Sequence, residues 1–192
     1  MDSNISTYTG NYQIRAYEID MHKRCTPPAL IQIMHEASLM HTIKLGVSVW
    51  DLEKQKISWV LRSMHIEINR LPLLNESIKL LTYPSGYQRM FTYRDYYVYD
   101  QDDILIASSK TKWVLMDTEQ RKFTPFPEAM KALIQLEGKQ TLPIPNDKIK
   151  KIDIKDYSHR FVVNWYDLDF NQHLNNIVYI KWALQSLSNE VL

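Results

Sequence analysis

Apolar and polar positions along this chain follow two different periods, and each change of period marks a new element. Tyr12, Ile14 and Ala16 alternate with polar neighbours, which predicts a strand from Tyr12 to Ile19. A short polar loop, Asp20 to Thr26, follows. Thr26-Pro27-Pro28 reads as a helix start, with Thr as the cap and Pro in the first turn. Leu30, Ile33, Met34, Ala37, Met40 and His41 then recur at helical spacing, predicting a helix from about Pro27 to Leu45 that Gly46 stops. From Ile57 to Asn69 the period is two. Trp59, Leu61, Ser63, His65 and Glu67 share one face, and Ser58, Val60, Arg62, Met64, Ile66 and Ile68 the other. Further strands are predicted at Glu76–Tyr83, Arg89–Tyr99 and Ile104–Asp117, with turns at Pro84-Ser85-Gly86 and Asp100-Gln101-Asp102-Asp103. Strand, long helix and antiparallel meander make an α+β pattern, one helix lying across a sheet.

The second half is organised differently. Pro125, Pro127, Pro143 and Pro145 bracket a short helical piece, Glu128–Leu136, and predict a connector over the surface. Lys148, Lys150, Lys151 and Lys155 read as a solvated stretch. A strand is predicted at Asp156–Tyr166 and a helix at Leu174–Leu192. The expected organisation is a first unit over 1–124, a linker over 125–150 and the start of a second unit over 151–192. The end of the chain also echoes its beginning. Tyr17-Glu18-Ile19-Asp20 aligns with Tyr166-Asp167-Leu168-Asp169 at an offset of 149 residues, in the same order of strand, polar loop and helix. Two copies of one unit are the expectation.

Composition narrows the classes. With 192 residues and a net charge of +1, the chain has no overall basic field for nucleic acid. Its single cysteine, Cys25, allows no internal disulfide and fits a cytoplasmic setting. No apolar run approaches the ~18–20 residues of a membrane helix. Only 4 glycines are present, and no Gly-rich phosphate loop. The histidines form no ligand-spaced cluster with acids, so neither metal nor cofactor is expected.

Candidate chemistry gathers in one loop. Asp169-Phe170-Asn171-Gln172-His173 places a carboxylate, an amide and an imidazole at i, i+2 and i+4 just before a helix. The first copy has His22 and Arg24 where the second has Asn171 and His173. An imidazole can shuttle a proton near neutral pH, a carboxylate can orient it, and an amide can hold water or a carbonyl without titrating. Helix N–H groups favour a developing oxyanion. Asp and Asn before a helix are also ordinary capping residues, and local residue types alone leave that structural alternative open.

The run Trp165 to Asn176, followed by Tyr179-Ile180 and Trp182, resembles the signature of plant and bacterial acyl-acyl-carrier-protein (acyl-ACP) thioesterases. Its pattern is D-x-N-x-H-x-N-N-x-x-Y. The opening strand, Glu36-Ala37-Ser38, Trp59-Val60-Leu61 and Arg89 to Tyr99 are similar too, so the likeness covers nearly the whole chain. The resemblance implies a tandem hotdog fold, each half wrapping a curved antiparallel sheet around a helix. It implies hydrolysis of fatty acyl-ACP to free fatty acid and ACP, ending fatty acid synthesis. Asp169, Asn171 and His173 are then the catalytic residues. Trp59, Met64 and Met34 become candidates to line an acyl cavity, although an apolar core would use them equally, and Asn175 and Asn176 complete the substrate-binding set. The implied partner is acyl carrier protein bearing a phosphopantetheine-linked acyl chain.

The chain departs from the family after its last helix. The N-terminal hotdog is expected complete and the C-terminal one truncated, because the strands after the second helix would follow Leu192. A downstream acidic residue and a Cys assigned catalytic parts in the family have no counterpart here. An incomplete second unit would expose an apolar helix face and favour self-association as a homodimer. Alternatives are an acyl-CoA thioesterase with the same chemistry, a hotdog dehydratase, and a non-catalytic acyl- or ACP-binding fragment. Arg62, Arg89, Arg94, Lys110 and Lys112 are candidates for a positive docking patch, with a solvated face as the plain alternative.

Overall fold

The computed structural model describes residues 5–145, 159–169 and 172–187. They belong to two compact units, Met1–Asn146 and Asp147–Leu192.

The first unit contains β1 (Tyr8–Gln13), α1 (Pro27–Lys44), α2 (Val49–Glu53), β2 (Ile57–Ile68), β3 (Ser77–Gln88), β4 (Phe91–Tyr99), β5 (Leu105–Asp117), β6 (Lys122–Thr124) and α3 (Glu128–Lys131). The strands form one antiparallel sheet in the order β1-β3-β4-β5-β2. β6 pairs with β5 at Leu115↔Thr124, taking over where the β4 ladder ends at Phe91↔Val114. Thr26 caps α1 by accepting the Ala29 N–H at 3.3 Å, as its sequence position predicts. Leu30, Ile33, Met34 and Ala37 of α1 pack on Ile78, Leu80, Tyr96 and Val98 of the sheet. Each large apolar side chain buried this way contributes roughly 1.5–3 kcal/mol, so the helix is held by its packed face rather than by propensity. This is the hotdog arrangement expected of the N-terminal unit.

Several boundaries differ from those read in the sequence. β1 starts at Tyr8 and stops at Gln13, and Ala16–Glu18 is a 3-10 turn instead of strand. The Arg15 N–H donates to Glu18 Oε2 at 2.7 Å, which closes that turn and takes the chain off the sheet. Pro84-Ser85-Gly86 is no turn. β3 runs through it with a bulge, because pairing shifts between Pro84↔Arg94 and Gly86↔Tyr93. The reversal lies at Arg89-Met90, with Arg89 in the left-handed region at φ 57°. α2 was not expected, although Ser48 and Asp51 form a capping box at its start. β6 was not expected either, and the helix predicted at Glu128–Leu136 spans only Glu128–Lys131.

The segment after α3 lies on the sheet face opposite α1. The Tyr83 and Tyr97 rings stack 6.1 Å apart, and both hydroxyls donate to the Gln140 carbonyl. The Leu142 N–H donates to Asp95 Oδ2 at 2.7 Å. Asp95 pairs with Lys110 at 2.6 Å, both side chains being almost wholly buried. The Ser85 hydroxyl donates to Asp95 Oδ1 at 2.6 Å and accepts from Lys110 at 3.0 Å. Arg94 and Lys110 are therefore interior residues, 7% and 3% exposed, and cannot belong to a docking patch. Strand alternation marks a second face; it does not reveal that a distant segment covers it.

In the second unit, 159–164 carry no regular structure and Trp165–Asp167 is a 3-10 turn, so the described part of the predicted Asp156–Tyr166 is not strand. Residues 156–158 of that prediction lie outside the described residues. α4 spans Asn176–Gln185, within the predicted Leu174–Leu192, whose last residues, 188–192, are also outside. The Trp182 ring stacks on Phe161 at 4.8 Å, while Trp165 and Tyr166 stay exposed.

Candidate active site

The loop between the Trp165–Asp167 turn and α4 is closed by its own backbone. The Asp169 N–H donates to the His173 carbonyl at 2.7 Å, and the Gln172 N–H to the Asp169 carbonyl at 2.9 Å. Asp169 Oδ1 accepts the His173 N–H at 3.1 Å. Leu168 bridges Leu174. Gln172 takes a positive φ of 62° to make the reversal. Asn175 then caps α4 by accepting the Ile177 N–H at 3.0 Å. Asp169 thus holds His173 through the main chain, and the imidazole stands exposed at the foot of the helix. Asn171 lies outside the described residues. Asn175 is committed to capping, and Asn176 is the exposed first residue of α4.

The first unit builds the same loop from different residues. The Asp20 N–H donates to the Arg24 carbonyl at 2.8 Å, and Lys23, at φ 62°, donates its N–H to the Asp20 carbonyl at 3.0 Å. Asp20 Oδ1 accepts the Arg24 N–H at 3.0 Å, and Ile19 bridges Cys25. The preceding turns match as well: Glu18 accepts the Arg15 N–H at 2.7 Å, and Asp167 the Asn164 N–H at 2.8 Å. Every one of these partners is related by the offset of 149 residues. The repeat noticed in the sequence is therefore a repeat of hydrogen bonds. Against that shared frame, the change from Arg24 to His173 is a change of side-chain chemistry at a fixed position.

The candidate lining residues take up different places in the first unit. Met34 is fully buried in the main core, and Met64 is half-buried against it. Trp59 belongs to a separate cluster with Leu52, Leu115, Phe126 and Met130, and its Nε1–H donates to the Val47 carbonyl at 3.0 Å. Of the proposed docking cations, Arg62 and Arg89 are exposed, and Lys112 lies over the Phe91 ring at 4.3 Å.

Two features on the α1 side of the sheet escaped the sequence reading. Arg94 is buried without a carboxylate partner among the described residues; its Nη1 donates to His41 Nδ1 at 3.1 Å and to the Thr82 hydroxyl at 3.3 Å. His41 accepts with Nδ1, so its Nε2 carries the proton and donates to the Ile5 carbonyl at 2.9 Å. Burial, and then the neighbouring Arg94 charge, push the His41 pKa down to about 4. The second feature is a buried polar atom without a hydrogen-bond partner among the described residues, His35 Nε2. Helical spacing put His35 and His41 on one element, but only the folded sheet brings Arg94 to His41.

No group of three or more His, Cys, Asp or Glu side chains among the described residues is arranged to hold a metal. No helix among them is long and apolar enough to cross a membrane.

Comparison with known proteins gives a consistent picture. The chain is 29% identical over 198 residues to an acyl-[acyl-carrier-protein] hydrolase of Cuphea viscosissima, covering 96% of this chain and 48% of that protein. It is 28% identical over 203 residues to the chloroplastic oleoyl-acyl carrier protein thioesterase of Coriandrum sativum, covering 97% and 55%. The chain spans about half the length of the curated relatives it matches. In fold it resembles the crystal structure of an acyl-ACP thioesterase from Bacteroides thetaiotaomicron, with TM-score 0.85, 22% identity, and 96% of this chain and 75% of that one covered. It also resembles a 12:0-ACP thioesterase from Umbellularia californica, with TM-score 0.78, 23% identity, and 96% and 76% covered. The family model of the acyl-ACP thioesterase N-terminal domain matches residues 6–134, and that of the C-terminal domain matches 150–192. The hotdog unit built on α1, followed by a second copy of its entry loop, therefore belongs to the acyl-ACP thioesterase family.

Proposed function

We propose that this chain supplies the acyl-binding unit and the catalytic loop of a thioester hydrolase acting on fatty acyl-ACP. The acyl group lies against the N-terminal unit, where α1 and the curled sheet enclose Met34 and Met64. Thioester chemistry is assigned to the loop before α4. The observation that carries this reading is the repeated loop frame, in which an imidazole at His173 replaces the guanidinium of Arg24 while Asp20 and Asp169 keep one structural bond.

Hydrolysis here uses water as the nucleophile. His173 takes the proton as water attacks the carbonyl carbon, Asn171 holds the carbonyl or the water, and Asp169 fixes His173 in place. The C–S bond then breaks, and the proton returns from His173 to the departing phosphopantetheine thiolate. The products are free fatty acid and ACP, which ends chain elongation. We further propose a reducing, cytoplasm-like setting, which suits the single buried thiol of Cys25.

The test is turnover of palmitoyl-ACP and palmitoyl-CoA by the purified chain. His173→Ala and Asp169→Ala should each reduce turnover at least ~100-fold, within the usual range for acid–base groups. Near-wild-type rates in both variants remove this loop from the mechanism. Equal efficiency on the CoA ester argues against ACP as the carrier that is read.

A further inference from the structure

The loop that carries His173 is a miniature hairpin, and its open end is held at one residue. Three rungs join its two arms. The Asp169 N–H donates to the His173 carbonyl at 2.7 Å, Leu168 bridges Leu174, and the Asn175 N–H donates to the Asp167 carbonyl at 2.9 Å. Asn175 is also the cap of α4, so the Asp167 carbonyl is where the first arm meets the helix. The Asp167 side chain makes a second tie. Its Oδ2 accepts the Asn164 N–H at 2.8 Å, across the 3-10 turn that precedes the loop. In the same turn the Asp167 N–H returns to the Asn164 carbonyl at 3.0 Å, and the Leu168 N–H to the Trp165 carbonyl at 3.3 Å. One residue thus closes the turn with its carboxylate and joins the turn to the helix with its carbonyl.

The first unit makes both ties with a longer acid. Glu18 accepts the Arg15 N–H at 2.7 Å, and its carbonyl accepts the Thr26 N–H at 2.8 Å. A carboxylate thus stands at this place in both copies, while the residue six positions on changes from Arg24 to His173. We propose that Asp167 is a positioning residue for the hydrolysis. Its carboxylate sets the direction in which the first arm leaves the turn, and the three rungs carry that direction to His173. Asp167 takes no proton and touches no substrate; it acts through the imidazole. This rests on the reading of His173 as the proton carrier.

Two measurements on the whole chain test this. The first is solvent exchange of the Asp169, His173 and Asn175 main-chain N–H groups, read by NMR. Asp167→Ala should speed it about 5-fold, the factor of one lost capping bond. Asp167→Glu, which installs the acid of the first copy, should not. Unchanged exchange in Asp167→Ala overturns the proposal whatever the activity. The second is hydrolysis of palmitoyl-ACP. Asp167→Ala should lower kcat roughly 10-fold with KM unchanged, because a misplaced reacting group costs rate rather than binding. Asp167→Glu should recover most of that rate. In a His173→Ala background, Asp167→Ala should lower turnover no further, since residues that act as a unit do not add. A loss of the same size in that background overturns the proposal in favour of a purely structural role. A normal rate in Asp167→Ala beside an impaired His173→Ala sinks this proposal alone. A normal rate in His173→Ala sinks the catalytic reading of the loop itself.

Discussion

Asp169 accepts the main-chain N–H of His173 at 3.1 Å, the bond that Asp20 makes to Arg24 at 3.0 Å in the first unit. A carboxylate that closes a loop where no imidazole follows is first of all a structural group. In the proposed mechanism its part is to place the residue four positions on.

This separates the two variants of the loop. His173→Arg restores the residue type of the first copy in an unchanged frame. It should lower turnover at least ~100-fold with no change in Tm, as read by acyl-ACP hydrolysis and thermal unfolding of the same preparation. Asp169→Asn keeps an oxygen acceptor and should retain more activity than Asp169→Ala, which opens the loop.

Stability should depend on the buried histidines. Burial and Arg94 hold His41 at about 4, and burial holds His35 at about 4, against an ordinary value of 6.5. Between those values the unfolded chain binds more protons than the folded one, so stability rises with pH there. It should be complete above pH 6.5 and fall progressively as the pH drops towards 4. A shift like that of His41 is worth on the order of 3 kcal/mol. Urea unfolding at pH 7, 5.5 and 4.5 checks this, and a flat profile would remove both groups from the balance. His41→Leu removes one of the two acceptors of Arg94, leaving the Thr82 hydroxyl, and should cost about 1–3 kcal/mol at pH 7.

The Asp95–Lys110 pair should behave as a clamp on the segment around Leu142. Asp95→Ala leaves a buried ammonium unpaired and should cost about 3–5 kcal/mol. It also removes the acceptor of the Leu142 N–H, so limited proteolysis within 139–145 should speed up in the variant. Replacing both partners by Leu and Met should recover most of the stability.

Cys25 lies fully buried in the core, and burial pushes its thiol up to about 12. Alkylation by iodoacetamide at pH 8 should be slow in the native chain and fast in urea. Cys25→Ala should leave thioester turnover unchanged.

How far the molecule could be read from its sequence varied with the range of the interactions. α1 was legible because its start, its apolar face and its stop are all local: Thr26 caps, Leu30 to Ala37 recur at helical spacing, and Gly46 ends it. β2 was legible from alternation, β4 from its run of tyrosines and β5 from the turn before it, and Asp169 and His173 because their bonds span only four residues. Pro84-Ser85-Gly86 misled, because proline and glycine mark a turn and a bulge alike. Only pairing with Arg94 and Tyr93 distinguishes the two.

Local spacing along the chain thus determined the helix, most of the strands, the repeated unit and the loop that carries His173. The tertiary structure decided which charges are interior. Arg94 and Lys110 read as surface cations until α1 covers one face of β4 and β5, and the segment around Gln140 covers the other. It also decided that Arg94 meets His41. The reason is physical: a hydrogen bond within a turn is set by neighbouring residues, whereas burial depends on what a distant part of the chain lays over a face.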